Sequence, residues 1–375
     1  MNEFERKAYY GGRTEVFIRG DALDTTSFDV NSMYPSQCVN HPLPDPTSYM
    51  RGKGKTDTFN QLFGSKDMII ECTVEVPYQH VPPLPYRENN KLIFPYGRLT
   101  GTWCSPELEY AVKECGCKIV KVGKWMAYDD QTTDLKSYME RWYNERLKWR
   151  KSGNKAMETL SKYFLNSLTG KFGEHVRDDQ VVNIEDLDMT KEELDQLGKV
   201  EYFENQYGVF LHLKAQEFDS TDHTFPVIIA FITSYARIHL HKAIRTVGND
   251  VVYCDTDSVH VLSRSVKRFE DNNWISDRKE DLGAWSNEGR HIFPYYRPKF
   301  YGNRLKGINL NRATLVEETD EHKVYTFEKP NKFRESIRRG LTVNKWEMHE
   351  KMVSKEDTKR SWNPDGTSKP LEVKS

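Results

Sequence analysis

Long apolar stretches are missing from this 375-residue chain. The longest apolar run uninterrupted by proline is Val227 to Ile232, far short of the roughly 18 to 20 residues a membrane-crossing helix needs. The N-terminus, Met1-Asn2-Glu3-Phe4-Glu5-Arg6, is charged and lacks the apolar core of a signal peptide. Both absences point to an intracellular chain with no membrane partner. Paired cysteines are missing as well. Cys38, Cys72, Cys104, Cys115, Cys117 and Cys254 are scattered, with one lone C-x-C, so neither a disulfide framework nor a zinc site is indicated. The C-x-C pair reads as partly buried thiols. No internal repeat is visible, and low complexity is confined to the last dozen residues, where Asn363-Pro364-Asp365-Gly366-Thr367-Ser368 reads as a turn followed by a loose tail. Net charge is nearly absent, at −1, and by itself says nothing about polyanionic partners.

What is present is material for a core. Hydrophobic residues make up 37% of the chain, with many Tyr, Phe and Trp, which excludes bulk disorder. The length suits one large multi-lobed domain or two ordinary ones. The charge is also unevenly spread. Residues 136–177 hold ten Lys/Arg against four Asp/Glu, a local +6. Residues 297–345 hold twelve against six, again +6, and residues 178–222 hold three against thirteen, or −10. Two basic blocks around an acidic insertion could line a polyanion groove, although ordinary solvated surface gives the same pattern.

The residue pattern predicts a short strand over Ser27–Val30 leading into Asn31-Ser32-Met33-Tyr34-Pro35, loop over 42–60, and a strand over Ile69–Val76. A helix is expected over Ser105–Cys115, capped by Ser105 with Pro106 at its first position. Two more follow over 134–150 and 155–169, joined by Ser152-Gly153-Asn154 in a tight antiparallel hairpin. Met157, Leu160, Phe164 and Leu168 form the second helix's apolar stripe, with Lys155, Lys162, Asn166 and Thr169 on the other face. A long helix is expected from Pro226 to Gly248, capped by Thr224. Val251-Val252-Tyr253-Cys254-Asp255-Thr256-Asp257-Ser258-Val259-His260-Val261-Leu262 then reads as a β-hairpin with carboxylates at its apex.

That apex carries chemistry. Asp255 and Asp257 sit two apart in an apolar segment, and buried carboxylates repel unless a cation offsets them. Hard divalent ions take carboxylate oxygens and leave room for substrate phosphates. Asp29, at the end of another strand, offers a third carboxylate. Two ions held about 4 Å apart could activate a 3′-hydroxyl and stabilise a leaving pyrophosphate. Lys162 on its helix face could neutralise a triphosphate. Each piece alone has a plainer reading: a solvated turn, a helix cap, an amphipathic helix.

Together they resemble a named pattern. Residues 29–36, DVNSMYPS, resemble motif A of family B DNA polymerases; 162–170, KYFLNSLTG, resemble motif B; and 253–258, YCDTDS, resemble motif C, in the family's order. Tyr9-Tyr10-Gly11-Gly12 looks like the Y-x-G-G segment, and Lys299-Phe300-Tyr301 the K-x-Y segment, of the protein-primed subgroup found in phages, linear plasmids and adenoviruses. The resemblance covers residues 9 to about 310. It implies an α+β right-hand fold of palm, fingers and thumb, with an antiparallel palm sheet and two insertions of the protein-primed type. By this resemblance residues 1–375 form one polymerase domain. Palm with motif A occupies 1–44, the first insertion and palm elements 45–125, and the fingers 134–171. The second insertion occupies 178–222, palm with motif C and the K-x-Y segment 223–309, and thumb and tail 310–375. The palm sheet is expected to draw on about 1–40, 60–80 and 223–305.

Roles follow residue by residue from the resemblance. Asp29 and Asp257 should ligate two Mg²⁺ or Mn²⁺ ions with the Val30 carbonyl, and Asp255 should be secondary. Tyr34 should lie beneath the sugar and exclude a 2′-hydroxyl. Lys162, joined by Arg150, should meet the phosphates of a dNTP, with Asn166 and Thr169 near the nascent pair. Tyr9, Gly11, Gly12, Ser32, Thr256, Lys299 and Tyr301 should hold primer-template DNA through its backbone, which positions without reading sequence. Thr169 stands where the family's motif B has tyrosine, which removes a stacking surface. Only 28 residues precede Asp29 and no D-x-E occurs among them, so no N-terminal exonuclease is expected in this chain; a separate exonuclease and a terminal-protein primer are candidate partners. The implied activity is DNA-directed DNA synthesis by two-metal nucleotidyl transfer, in viral or plasmid replication with strand displacement. A non-catalytic DNA-binding member and a primer-independent primase-polymerase are the alternatives.

Overall fold

The computed structural model describes residues 2–174, 180–183, 200–205, 208–213, 224–276, 280–330 and 346–373. The chain divides into two compact units, one of residues 1–173, 223–302 and 357–375, the other of residues 174–222 and 303–356.

The first unit holds two main sheets, antiparallel but for one C-terminal edge strand, with small two-stranded pairs and the longer helices. In chain order its main elements are α1 (Asn2–Ala8), β1 (Thr14–Val16), β2 (Gly20–Val30), α2 (Met33–Asn40), β3 (Tyr49–Lys53), β4 (Asp67–Val76), β5 (Tyr96–Cys104), α3 (Ser105–Cys115), β6 (Lys118–Tyr128), α4 (Asp134–Lys151), α5 (Lys155–Phe172), α6 (Pro226–Val247), β7 (Val251–Asp255), β8 (Ser258–Leu262), β9 (Trp285–Arg297) and β10 (Phe300–Tyr301). In the palm sheet these strands run β1-β7-β8-β2-β9-β10, every named neighbour antiparallel.

Helix α6 explains why this sheet is firm. Pro226 opens it, Gly248 (φ 59°) ends it, and sixteen of its residues are buried. Its C-terminal half packs Ala236, Leu240, Ala243, Ile244 and Val247 against Phe28, Val30, Val251, Val259 and Val261 of the sheet. Strands that bury both faces read as continuous apolar runs, which is why Val251-Val252-Tyr253-Cys254 shows no alternation. Fully burying each aliphatic side chain contributes about 1.5–3 kcal/mol.

The second sheet corrects two expectations. Strand β4, within the 60–80 stretch expected in the palm sheet, instead lies between β5 and β6 in the order β5-β4-β6-β3. Its inward residues Met68, Ile70, Cys72, Val74 and Val76 form a separate core with Leu99, Trp103 and Trp125. The 42–60 stretch, expected as loop, contains β3 and a helix over Asp57–Leu62, with Thr56 accepting from Phe59 N–H at 3.1 Å. Its glycine hid the strand: the Trp125 ring occupies the place of a Gly52 Cβ, 2.0 Å from it, so only glycine fits that close approach.

Helix ends also differ. Cys104, not Ser105, precedes α3, and Ser105 Oγ instead accepts from Met68 N–H at 2.9 Å. Phe225 rather than Thr224 occupies the N-cap position of α6, with no side-chain cap, and α5 continues to Phe172. The six cysteines are all buried and free.

The C-terminal stretch is not a loose tail. Arg360–Trp362 and Ser368–Pro370 pair as a hairpin, and Glu372–Val373 pairs in parallel with β5. Arg360 Nε donates to Ser368 Oγ at 2.7 Å, and Ser368 Oγ to the Phe17 carbonyl at 2.7 Å. These contacts explain why 357–375 belongs to the first unit, although 310–375 was expected as thumb and tail.

The second unit, as described, contains two three-stranded antiparallel sheets. One comprises Gln180–Asn183, Gly208–Leu213 and Val200–Asn205; the other Ala313–Glu318, His322–Pro330 and Trp346–Ser354. Most of the expected second insertion, 178–222, and residues 331–345 of the expected thumb lie outside the described residues. Among the described residues no helix is long and apolar enough to cross a membrane.

Candidate active site

The register of three strands brings the carboxylates together. Asp29, next to last in β2, pairs with Ser258, the first residue of β8, and the Val30 N–H donates to the Asp257 carbonyl at 2.7 Å. Asp29 and Asp257 thus lie side by side although 257 − 29 = 228 positions separate them. They open on one cavity of about 280 Å³, lined also by Val30, Asn31, Ser32, Met33, Tyr34, Pro35, Arg146, Lys162, Asn166 and Thr256.

Burial pushes the Asp257 carboxyl above the usual carboxylate range. The Asp255 charge adds to this, while its own backbone N–H, Lys299 and Lys162 oppose it. A half-solvated carboxylate of this kind is poised to gain from a cation. Asp255 is engaged elsewhere: Lys299 pairs with both its oxygens, Thr14 Oγ1 donates to it at 3.0 Å, and Tyr253 OH at 3.1 Å. It does not line the cavity.

Backbone strain gathers here. Of the five described non-glycine residues with positive φ, Ser32 (55°), Thr256 (60°) and Lys299 (64°) belong to this neighbourhood. Such conformations cost of order 1–3 kcal/mol each and persist where surrounding structure enforces them. The enforcement is visible at Thr256. Its N–H donates to the Arg13 carbonyl at 2.7 Å, and a Cβ on Gly12 would lie 2.5 Å from its Oγ1. The Tyr9–Gly12 segment is therefore packed against the carboxylate turn. It is held in turn by Arg237, whose Nη1 donates to the Tyr10 and Gly11 carbonyls at 2.6 and 3.1 Å. The rest of that buried guanidinium pairs with Glu107 at 2.7 Å. Gly11 is exposed; Tyr9 is half-buried, with its carbonyl accepting from Arg87. Lys299 leans over Asp255, and Tyr301 is buried, its ring 4.5 Å from Tyr253.

Helices α4 and α5 supply the opposite, cationic wall. Lys162 and Asn166 lie one turn apart on α5, and Asn154 caps that helix by accepting from Met157 N–H at 3.1 Å. Gly153 between the helices takes φ 73°, a conformation glycine adopts without steric cost. Arg146 of α4 was not anticipated: no motif marks it, and only the antiparallel pairing of the helices swings it into the cavity. Its Nη1 donates to Ser32 Oγ at 3.0 Å. Arg150, one turn further along α4, does not line the cavity; its Nε donates to Glu158 at 2.8 Å. Thr169 is buried and its hydroxyl donates to the Asn166 carbonyl at 2.9 Å, so it too stands outside the cavity lining. Tyr34 lines it half-buried, its hydroxyl pushed up to about 12 by burial.

The donor set suits hard divalent cations. Asp29, Asp257 and the Val30 carbonyl offer only oxygen, the ligand type Mg²⁺ and Mn²⁺ prefer. Among the described residues no group of three or more His, Cys, Asp or Glu side chains converges to hold a metal, so these two carboxylates are the side-chain ligands available here.

The antiparallel sheet carrying Asp29 and the Asp257 turn thus meets a basic helical hairpin across one cavity. The chain belongs to the DNA polymerase type B family, organellar and viral, whose pattern matches residues 1–249. It is 26% identical over 309 residues to the DNA polymerase of Bacillus phage phi29, covering 79% of this chain and 48% of the phage protein. A probable DNA polymerase of Podospora anserina is 31% identical over 168 residues, 45% of this chain and 13% of that protein. The chain spans about half the length of the phage relatives it matches. Its fold is similar to phi29 DNA polymerase in an orthorhombic crystal form, with TM-score 0.60 at 19% identity, covering 92% of this chain and 54% of that one. The phi29 complex with primer-template DNA and incoming nucleotide substrates gives TM-score 0.59.

Proposed function

We propose that this chain is a DNA-directed DNA polymerase that adds dNTPs to a 3′-hydroxyl on primer-template DNA. The meeting of Asp29 and Asp257 across a cavity whose far wall is Lys162 and Arg146 carries this reading: a carboxylate pair facing fixed cations is what a triphosphate bridged to a metal site needs. Membership of the family supports it, as do the DNA-bound and nucleotide-bound states in which phi29 DNA polymerase has been solved.

Asp29, Asp257 and the Val30 carbonyl would hold the divalent ions, with two as the expected number. When bound, such ions acidify the attacking hydroxyl and neutralise the leaving pyrophosphate. The chain's own residues do the rest. Lys162 and Arg146 hold the triphosphate and orient it toward the carboxylates. The Tyr34 ring, which lines the cavity, would rest beneath the sugar and exclude a 2′-oxygen. The Tyr9–Gly12 segment and Lys299 hold the primer-template backbone beside the turn.

The test is extension of a labelled primer on a template with purified protein, Mg²⁺ and dNTPs. The parent protein is expected to lengthen the primer, and Asp257→Ala to lose at least about a thousandfold in rate. Extension by Asp257→Ala at the parental rate would remove the mechanism. A folded parent that binds primer-template without extending it would be a DNA-binding protein instead.

A further inference from the structure

Beside the cavity, one turn outward from Lys162, stands a carboxylate that the chemistry above does not use. Glu158, Lys162 and Asn166 fall at i, i+4 and i+8 on α5 and therefore share a face. Arg146 and Arg150 likewise share a face of α4, across the helical hairpin. Glu158 Oε1 accepts from Arg150 Nε at 2.8 Å and lies 3.9 Å from Arg146 Nε. Arg146 is half-buried, and its Nε has no hydrogen-bond partner. Burial first, and then the Arg150 charge, makes its charged state harder to keep. Glu158 is held below the usual carboxylate range, first by the Arg150 hydrogen bond, so it is an anion at neutral pH.

The geometry is that of an anion seated between two guanidiniums at the mouth of a site built for a polyanion. Arg150 is aimed at Glu158 rather than into the cavity, and Arg146 is shared between Ser32 and Glu158. Arginine forks recognise carboxylate and phosphate through the same donors. A phosphate arriving at this wall therefore competes with Glu158 for them.

We propose that Glu158 is a positioning residue that stands in for substrate phosphate, holding Arg146 and Arg150 between turnovers and weakening triphosphate binding by competing for them. The inference rests on the polymerase reading and deepens it, since it names a residue that sets the affinity for dNTP. Its net effect is to keep the fingers ordered without nucleotide while raising KM. Released from Glu158, Arg150 becomes an additional phosphate contact.

Single-nucleotide insertion kinetics with Glu158→Gln, Arg150→Gln and the double variant test it. Primer-template affinity is measured by anisotropy, and binding of inorganic tripolyphosphate by calorimetry. Glu158→Gln is expected to lower KM for dNTP about 1.5-fold to fivefold, the range set by loss of one partly solvated ion pair, while primer-template affinity stays within about 1.2-fold. Adding Arg150→Gln should return KM toward the parent value, and the gain should shrink at high salt. An unchanged or raised KM in Glu158→Gln overturns the proposal, as does a fall in KM of the same size when Arg150→Gln is also present. If the parent does not extend primers, the polymerase reading fails on its own. Tighter tripolyphosphate binding by Glu158→Gln would then still support the competition, and unchanged binding would refute it.

Discussion

The two walls of the cavity are built in opposite ways. The acidic wall stands on buried sheet: Val251, Val252, Tyr253 and Cys254 are fully buried, and the turn beyond them is clamped by Arg13, Gly12 and Thr14. The basic wall stands on a helical hairpin in which Leu160, Tyr163 and Phe164 are exposed and only a few side chains are buried. Carboxylates that must share cations need fixed positions, because a shift of about 1 Å can cost a hundredfold in rate. Cations that gather a flexible triphosphate need reach and charge instead, which long side chains on solvated helices provide. Burial is thus concentrated beneath the carboxylates and sparse along the basic helices.

Substitutions can break that contrast. After the loss expected at Asp257→Ala, the largest effect is expected at Gly12→Ala, whose Cβ would press on Thr256 Oγ1. The turn carrying Asp257 must then move, and kcat should fall about tenfold to a hundredfold with little change in melting temperature. A parental kcat would show that the turn does not depend on this clamp. Lys162→Ala, on the other wall, should raise KM for dNTP about tenfold, the scale of one charge-assisted hydrogen bond, with kcat less affected. A pure kcat loss there would erase the proposed division between the walls.

The smallest effect concerns the support beneath the acidic wall. His241 of α6 is buried; its Nε2 donates to the Val81 carbonyl at 2.7 Å, which leaves Nδ1 to accept from Tyr110 OH at 2.8 Å. Burial lowers its pKa to about 3, below the roughly 6.5 of an unfolded histidine. Between those values the unfolded chain binds the extra proton, so stability falls as pH drops below about 6.5. In urea unfolding, His241→Gln should flatten the stability slope between pH 6.5 and 5 by up to about 1.4 kcal/mol per pH unit. An identical slope in both proteins would mean that His241 already carries its proton in the folded state.

Much of this arrangement was legible in the chain. The β-hairpin around Asp255-Thr256-Asp257, the α4–α5 turn at Gly153 and the long α6 announce themselves through local periodicity and turn chemistry. The resemblance singled out Asp29, Lys162 and Asn166, and all three line one cavity. Arg146 was hidden because its neighbours on α4 are equally basic and nothing local tells which of them turns inward. Arg150 and Thr169 looked equivalent to their cavity-lining neighbours, yet Glu158 captures one and the helix interior the other. Strand β3 was hidden by Gly52, which only the distant Trp125 ring explains.

The amino-acid order thus set most local pieces by itself: the long helices and the β7–β8 hairpin, where carboxylates and cations lie along them, and that Gly12 and Gly153 punctuate them. Tertiary structure alone decided which charges face one another. Electrostatic environment depends on what other segments bring within a few ångströms, and that distance bears no relation to separation along the chain. Asp257 faces Asp29 and Lys162, while Asp255, two residues away, is taken by Lys299.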